Sequence, residues 1–431
     1  MAERGGNIPQ FREGKKLRNR RIVAGVSLFV SFGLLAGCDP LKTNAQGAPP
    51  VSAEFNTAYS SILYGSCAPD SRSASQNLAN QAAACKNLIT NGSIALVDFN
   101  NLSPDQEQSL ITESQTLLTQ ATGGVFVPNL TFIDATQEAI DQFNTHTADC
   151  TEPERGNEIT WASVAADITM QEQLREFNAV IALSSQDFCR ETIAGATNPD
   201  TLRHVDIAPA PYLQGTVEPV QSETTTGEII AHEILHLSGL GEAHALSDRQ
   251  NPPHQLSFEN GIVIDDLQQY LIDNSLFYSY GDTGNIMGSF SSTQTHGAQP
   301  EQNQVQVDIL RELTEDQNRY GQRVEGMLSI NYNRVSHENY AVVPLTTDIG
   351  FGQLNYLNEL AIVPKWENGA IQTFELILID TRSSIQTTLA IGTLGINANQ
   401  QADNIWTFTH QGQAIQIFFD NNTLSVRTVT S

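Results

Sequence analysis

His232 and His236 stand four residues apart, with Glu233 directly after the first, in the run GEIIAHEILHLSGLGEAH at residues 227–244. Few patterns restrict a chain more. Four residues make about one helical turn, so both imidazoles project from one face of a helix, which the apolar period predicts over about residues 226–238. Two imidazole nitrogens so placed can hold one metal ion, zinc at about 2.0–2.1 Å from each. Glu233 is displaced around the helix and is free to act as a base on a water rather than as a ligand. Gly239 follows three residues after His236. A residue able to adopt positive φ there lets the chain leave the helix and return toward the metal.

Downstream, Gly284-Asn285-Ile286-Met287-Gly288 places a methionine in a glycine-bounded turn. HExxHxxG together with that turn resembles the metzincin family of zinc metallopeptidases, over about residues 93–321. The resemblance implies an upper half with a twisted sheet and two helices, a cleft, and a lower half with few elements. It implies His232 and His236 as Zn2+ ligands, Glu233 as general base and Met287 as the Met-turn residue. The stretch 313–317 weakly resembles the helix after that turn.

The chain departs from the family at the third ligand. The pattern HExxHxxGxxH places that ligand ten residues after the first histidine, and Glu242 stands there. His244 lies two residues further on. His244 is the preferred third ligand, since imidazole is the usual one; Glu242 is the alternative, because the spacing favours it and a carboxylate can also complete a three-ligand site. A thermolysin-like site would use a later glutamate, and Glu259 has roughly that spacing.

The first residues are set aside before reasoning about the fold. Lys15, Lys16, Arg18, Arg20 and Arg21 precede an apolar run at residues 22–36, too short for a comfortable membrane span. Leu35-Ala36-Gly37-Cys38 then resembles a bacterial lipobox. It implies a signal peptide over residues 1–37, lipidation at Cys38, and a membrane-anchored protein of the cell envelope facing the periplasm or exterior. Residues 38–60, small, polar and proline-containing, read as a tether. The signal carries seven Lys/Arg and two Asp/Glu, so the mature chain is five charges more negative than the −26 of the whole. Such a surface repels phosphate backbones and excludes nucleic acid as an expected partner. Cys67, Cys85, Cys150 and Cys189 are an even set in an exported chain and point to disulfides, with the local pairs Cys67–Cys85 and Cys150–Cys189 preferred among three pairings. Cys67 also faintly resembles the inhibitory cysteine of some metzincin propeptides.

From residue 93 the pattern alternates between strand and helix. Strands are expected near residues 94–99, 125–133, 179–183 and 205–208. Helices are expected near 104–119, with Ser103 as N-cap, and near 137–143, 172–176 and 302–320. Beyond residue 331, strand-length apolar runs at 374–379, 405–408, 415–419 and 424–429 are separated by turn residues. The pattern gives an α/β fold class, which the resemblance makes a metzincin-like catalytic domain over residues 61–330, followed by a small all-β, sandwich-like domain over 335–431. The expected function is zinc-dependent hydrolysis of a protein or peptide substrate. The alternative is a catalytically inactive zinc-binding lipoprotein serving as a binding or structural module. His254 and His296 are weaker candidates for binding substrate or stabilising an oxyanion, Tyr278 and Tyr280 precede the Met-containing turn with no role assigned, and Trp366 and Trp406 are weaker candidates for a sugar-stacking platform.

Overall fold

The computed structural model describes residues 88–99, 101–147, 168–174, 176–183, 195–197, 204–207, 226–251, 254–278, 285–288, 302–314, 319–332, 339–351, 354–367, 369–381, 386–396 and 404–430. Cys38, the other four cysteines, the expected signal peptide and the tether lie outside them.

The first sheet contains β1 (Ser93–Asp98), β2 (Asn129–Asp134), β3 (Ala179–Leu183), β4 (Gly195–Thr197) and β5 (His204–Ile207). Their order is β2-β1-β3-β5-β4, parallel except for the antiparallel edge strand β4. Helices α1 (Pro104–Thr122), α2 (Gln137–Thr147), α3 (Ile168–Leu174) and α4 (Thr226–Leu237) cover it. Side chains alternate across the sheet. Ile94, Leu96 and Ile181 point into the core that holds α1 and α4. Ala95, Val97 and Val180 point into a second core with α2 and α3. Strands buried on both faces read as unbroken apolar runs, which is why β1 and β3 were visible in the sequence. Ser103 caps α1 as expected, in a reciprocal box with Gln106, and Gly123 at φ 60° closes the helix. The strand expected from residue 125 starts later, at Asn129, because Val125 is still tied to the helix end by its N–H on the Thr122 carbonyl.

The remaining elements are β6 (Leu240–Asp248), β7 (Ser257–Phe258), β8 (Val263–Ile264), α5 (Leu267–Asn274), β9 (Ser275–Tyr278) and α6 (Gln304–Leu313). After them come β10 (Gly321–Arg323), β11 (Met327–Asn331), β12 (Tyr340–Phe351), β13 (Leu354–Glu367) and β14 (Ala370–Ile379). Last are β15 (Gln386–Gly395), β16 (Asn404–His410), β17 (Gln413–Asp420) and β18 (Thr423–Thr430). The C-terminal region is rich in sheet. One sheet runs β10-β12-β13-β14-β15-β6-β9, with β7 also on β15; another runs β11-β18-β17-β16-β8.

The larger sheet is a shared wall. Leu360, Ile362, Leu376 and Leu378 pack with Trp406, Phe408, Ile415 and Ile417 of the smaller sheet. The alternate residues Ala361, Val363, Ile377 and Ile379 belong to the core of α4, with Ile230, Ile234 and Leu237. Hydrogen bonding therefore crosses residues 330–335, where the sequence suggests a division. β6 lies parallel to β15, and β8 parallel to β16. The helix expected over residues 302–320 ends at Leu313, where the Thr314 hydroxyl and N–H turn back to the helix carbonyls. Asp308 on α6 accepts hydrogen bonds from the Tyr320 and Gly321 N–H groups and from the Tyr340 hydroxyl, fastening α6 to β10 and β12.

Candidate metal centre

Helix α4 is buried along most of its length, and its start is held against α1 by the Ser114 hydroxyl on the Gly227 carbonyl, 3.2 Å. One turn apart on its face, the His232 and His236 rings meet edge to face with centroids 4.7 Å apart. Their Nε2 atoms are 3.1 Å apart. Each ring is oriented by a main-chain carbonyl: His232 Nδ1 donates to Ile286 O at 2.7 Å, and His236 Nδ1 to Leu240 O at 2.8 Å. A carbonyl can only accept, so each Nδ1 carries a proton, which leaves the Nε2 of each ring as the atom turned toward the other ring and available to a metal.

Gly239, at φ 93°, turns the chain out of the helix as expected, and β6 begins at the next residue. Glu242 brings its carboxylate to the two rings: Oε1 lies 3.1 Å from His236 Nε2, and Oε2 lies 3.7 Å from His232 Nε2. The two Nε2 atoms and the carboxylate thus converge in a largely buried place, where they could hold a cation. Zinc fits it. Ligands about 2.0–2.1 Å from a tetrahedral ion lie about 3.3 Å from one another, inside the observed range. Burial alone would lower the pKa of His236, but the Glu242 carboxylate, the charge of Glu233 and the Leu240 carbonyl raise it to about 9. A proton there takes the part of the cation.

His232, His236 and Glu242 form the group that could hold a metal. His244, the preferred third ligand in the sequence reading, is not in it. Its ring packs on Phe277, with centroids 5.1 Å apart, and burial lowers its pKa while Glu242 opposes that shift. The reason is local. Between the pairs Leu240–Gln386 and Ala243–Thr388, β6 advances three residues while β15 advances two. This irregularity falls at Gly241-Glu242, and extra residues of this kind re-aim a side chain. His244 sits two residues farther along the strand, about 6.6 Å away.

The turn at residues 285–288 joins α4 to β6. Met287 is fully buried in the core of α4. Its carbonyl accepts from Ala243 N–H at 2.8 Å, while the preceding carbonyl holds His232. Sequence patterns flagged Met287 as a side chain; the carbonyls of Ile286 and Leu240 carry no residue signature and were missed. Glu233 is buried beside its histidine. Glu259 is not in the group, and His254 lies on an exposed turn. Tyr278 is exposed at the end of β9. Trp406 is fully buried, its indole N–H on Phe258 O, so it is a core residue and no platform; Trp366 packs edge to face on Tyr332. Tyr280 and His296 lie outside the described residues. Asp98, Glu107 and Asp134 form a second close group, carboxylates alone, at the ends of β1 and β2 and the start of α1.

No protein-family model matches the chain, and no curated protein matches it.

Proposed function

We propose that this protein is a zinc-dependent endopeptidase of metzincin type whose metal ligands are His232, His236 and Glu242. One observation carries the reading: two imidazoles, each oriented through Nδ1 by a backbone carbonyl, meet a carboxylate at 3.1–3.7 Å, with a glutamate next to the first histidine. The Met-containing turn and the helix on a mixed sheet support it. The family's sparse lower half is replaced here by the large sheet of β6 and β12–β15.

Zinc in this place supplies a Lewis acid and brings the pKa of a water toward about 7. The chain supplies the rest. The Ile286 and Leu240 carbonyls fix the rings. Glu233 takes the proton of the attacking water on its carboxylate and delivers it to the leaving amine nitrogen. His232, with its side chain 17% exposed against 3% for His236, marks the side open to substrate. The anionic surface suits neutral or cationic peptides. Cys38 would carry a lipid that holds the enzyme at the cell envelope. Among the described residues no helix is long and apolar enough to cross a membrane.

The test pairs metal analysis with digestion of an unstructured protein such as casein. About one zinc per chain together with chelator-sensitive cleavage is the expected result. Zinc without cleavage would favour the inactive binding module, and absence of zinc would refute the metal centre.

A further inference from the structure

Asn285 does nothing that packing would ask of it. It is 2% exposed, and its Nδ2 is buried with no hydrogen-bond partner among the described residues. Burying an unused donor is costly, so an apolar residue would serve better if filling space were its purpose. Its Oδ1 has a different task. It accepts the Met287 N–H at 2.9 Å, and its own carbonyl accepts the Gly288 N–H at 2.9 Å. An amide flip would set two donors face to face, so this orientation is the stable one.

The turn so closed presents two successive carbonyls in different directions. Ile286 O takes the His232 Nδ1 proton, and Met287 O takes the N–H of Ala243, the neighbour of Glu242. Helix and strand, which bring the two kinds of ligand, are thereby held at a fixed distance by one turn.

Resting on the metal reading above, we propose that Asn285 is a positioning residue for the centre: its Oδ1 sets the turn whose carbonyls orient His232 and register the strand of Glu242. Residues that orient ligands typically change metal affinity by about 10- to 100-fold when removed.

The experiment compares three full-length proteins by titration of zinc alone against a competing chelator. They are the wild type, Asn285→Leu (similar volume, no acceptor) and Asn285→Asp (acceptor kept, the unused donor removed). A second readout is exchange of the His232 Nδ1 proton in the zinc-loaded state, followed by nitrogen-15 NMR. The leucine protein is expected to bind zinc about 10- to 100-fold more weakly and to exchange that proton faster, with unchanged circular dichroism. The aspartate protein should stay within a few-fold of wild type. If the leucine protein is too unstable to titrate, Asn285→Gly removes the same acceptor and replaces it in the comparison. A wild type that binds zinc while the acceptor-free variants bind equally well overturns the positioning role and leaves the metal reading standing. Equal weakening by aspartate and leucine overturns it too. A wild type that binds no zinc overturns both.

Discussion

Glu242 and His244 lie two residues apart on β6, but the pairing irregularity at Gly241-Glu242 turns Glu242 to the rings, while the His244 ring packs on Phe277. Glu242 stands nearer the helix end, and its carboxylate meets both rings. Glu242→Ala should therefore strip the metal, raising the zinc dissociation constant by orders of magnitude, while His244→Ala changes it far less. Dialysis against a graded chelator reads both, and the reverse ranking would restore the imidazole ligand. Glu233→Gln should keep zinc and lower kcat by about 100- to 10,000-fold, the usual worth of a general base; loss of metal from this variant would make Glu233 a ligand. The residue pattern showed His232, Glu233, His236 and Gly239 because helical spacing and backbone freedom leave marks on single residues. It preferred His244 because imidazole is the usual third ligand, whereas an irregularity in strand pairing, invisible in one sequence, brings Glu242 to the rings.

At the level of elements, α1, β1, β3 and α4 were legible for local reasons: caps, apolar period, unbroken apolar runs. β6, β12, β13 and β15 were not. β12 and β13 contain Pro344 and Pro364, which argue against strand when read locally. Pairing explains them. β10 pairs with β12 only from Tyr340 to Val342, so Pro344 has a ladder on one side alone. β12 reaches β13 only up to Ile362, and Pro364 lies past that point. The junction of α4 and β6 makes its own prediction. Gly239 sits at φ 93°, where a side chain is strained. Gly239→Ala should cost about 1–3 kcal/mol of stability and weaken zinc binding with it, since Gly239 turns the chain toward Glu242. Thermal melts with and without zinc measure this; an unchanged melting temperature would show that the turn tolerates a Cβ.

At the largest scale, the wall of β12–β15 binds the described elements together. One face packs on the small sheet and the other on the helix that bears the histidines. Residues 1–331 alone lack β15, the partner of β6, and the surface that covers Ile230 and Ile234. Such a truncated chain is expected to be insoluble or loosely folded and to bind no stoichiometric zinc. A soluble, zinc-binding, cooperative fragment would show instead that the first part stands by itself. The pairing of Leu240 with Gln386 also sets an order in time. A chain emerging from the ribosome makes α4 early and must wait for β15 before Glu242 has its bracing, a long-range closure of the slow kind. Nascent chains halted at successive lengths should take up zinc tightly only once residues beyond 395 are out. Tight uptake by shorter chains would mean that β15 is dispensable. On this reading the newborn protein cannot cut anything, itself included, until β15 has been made and paired with β6.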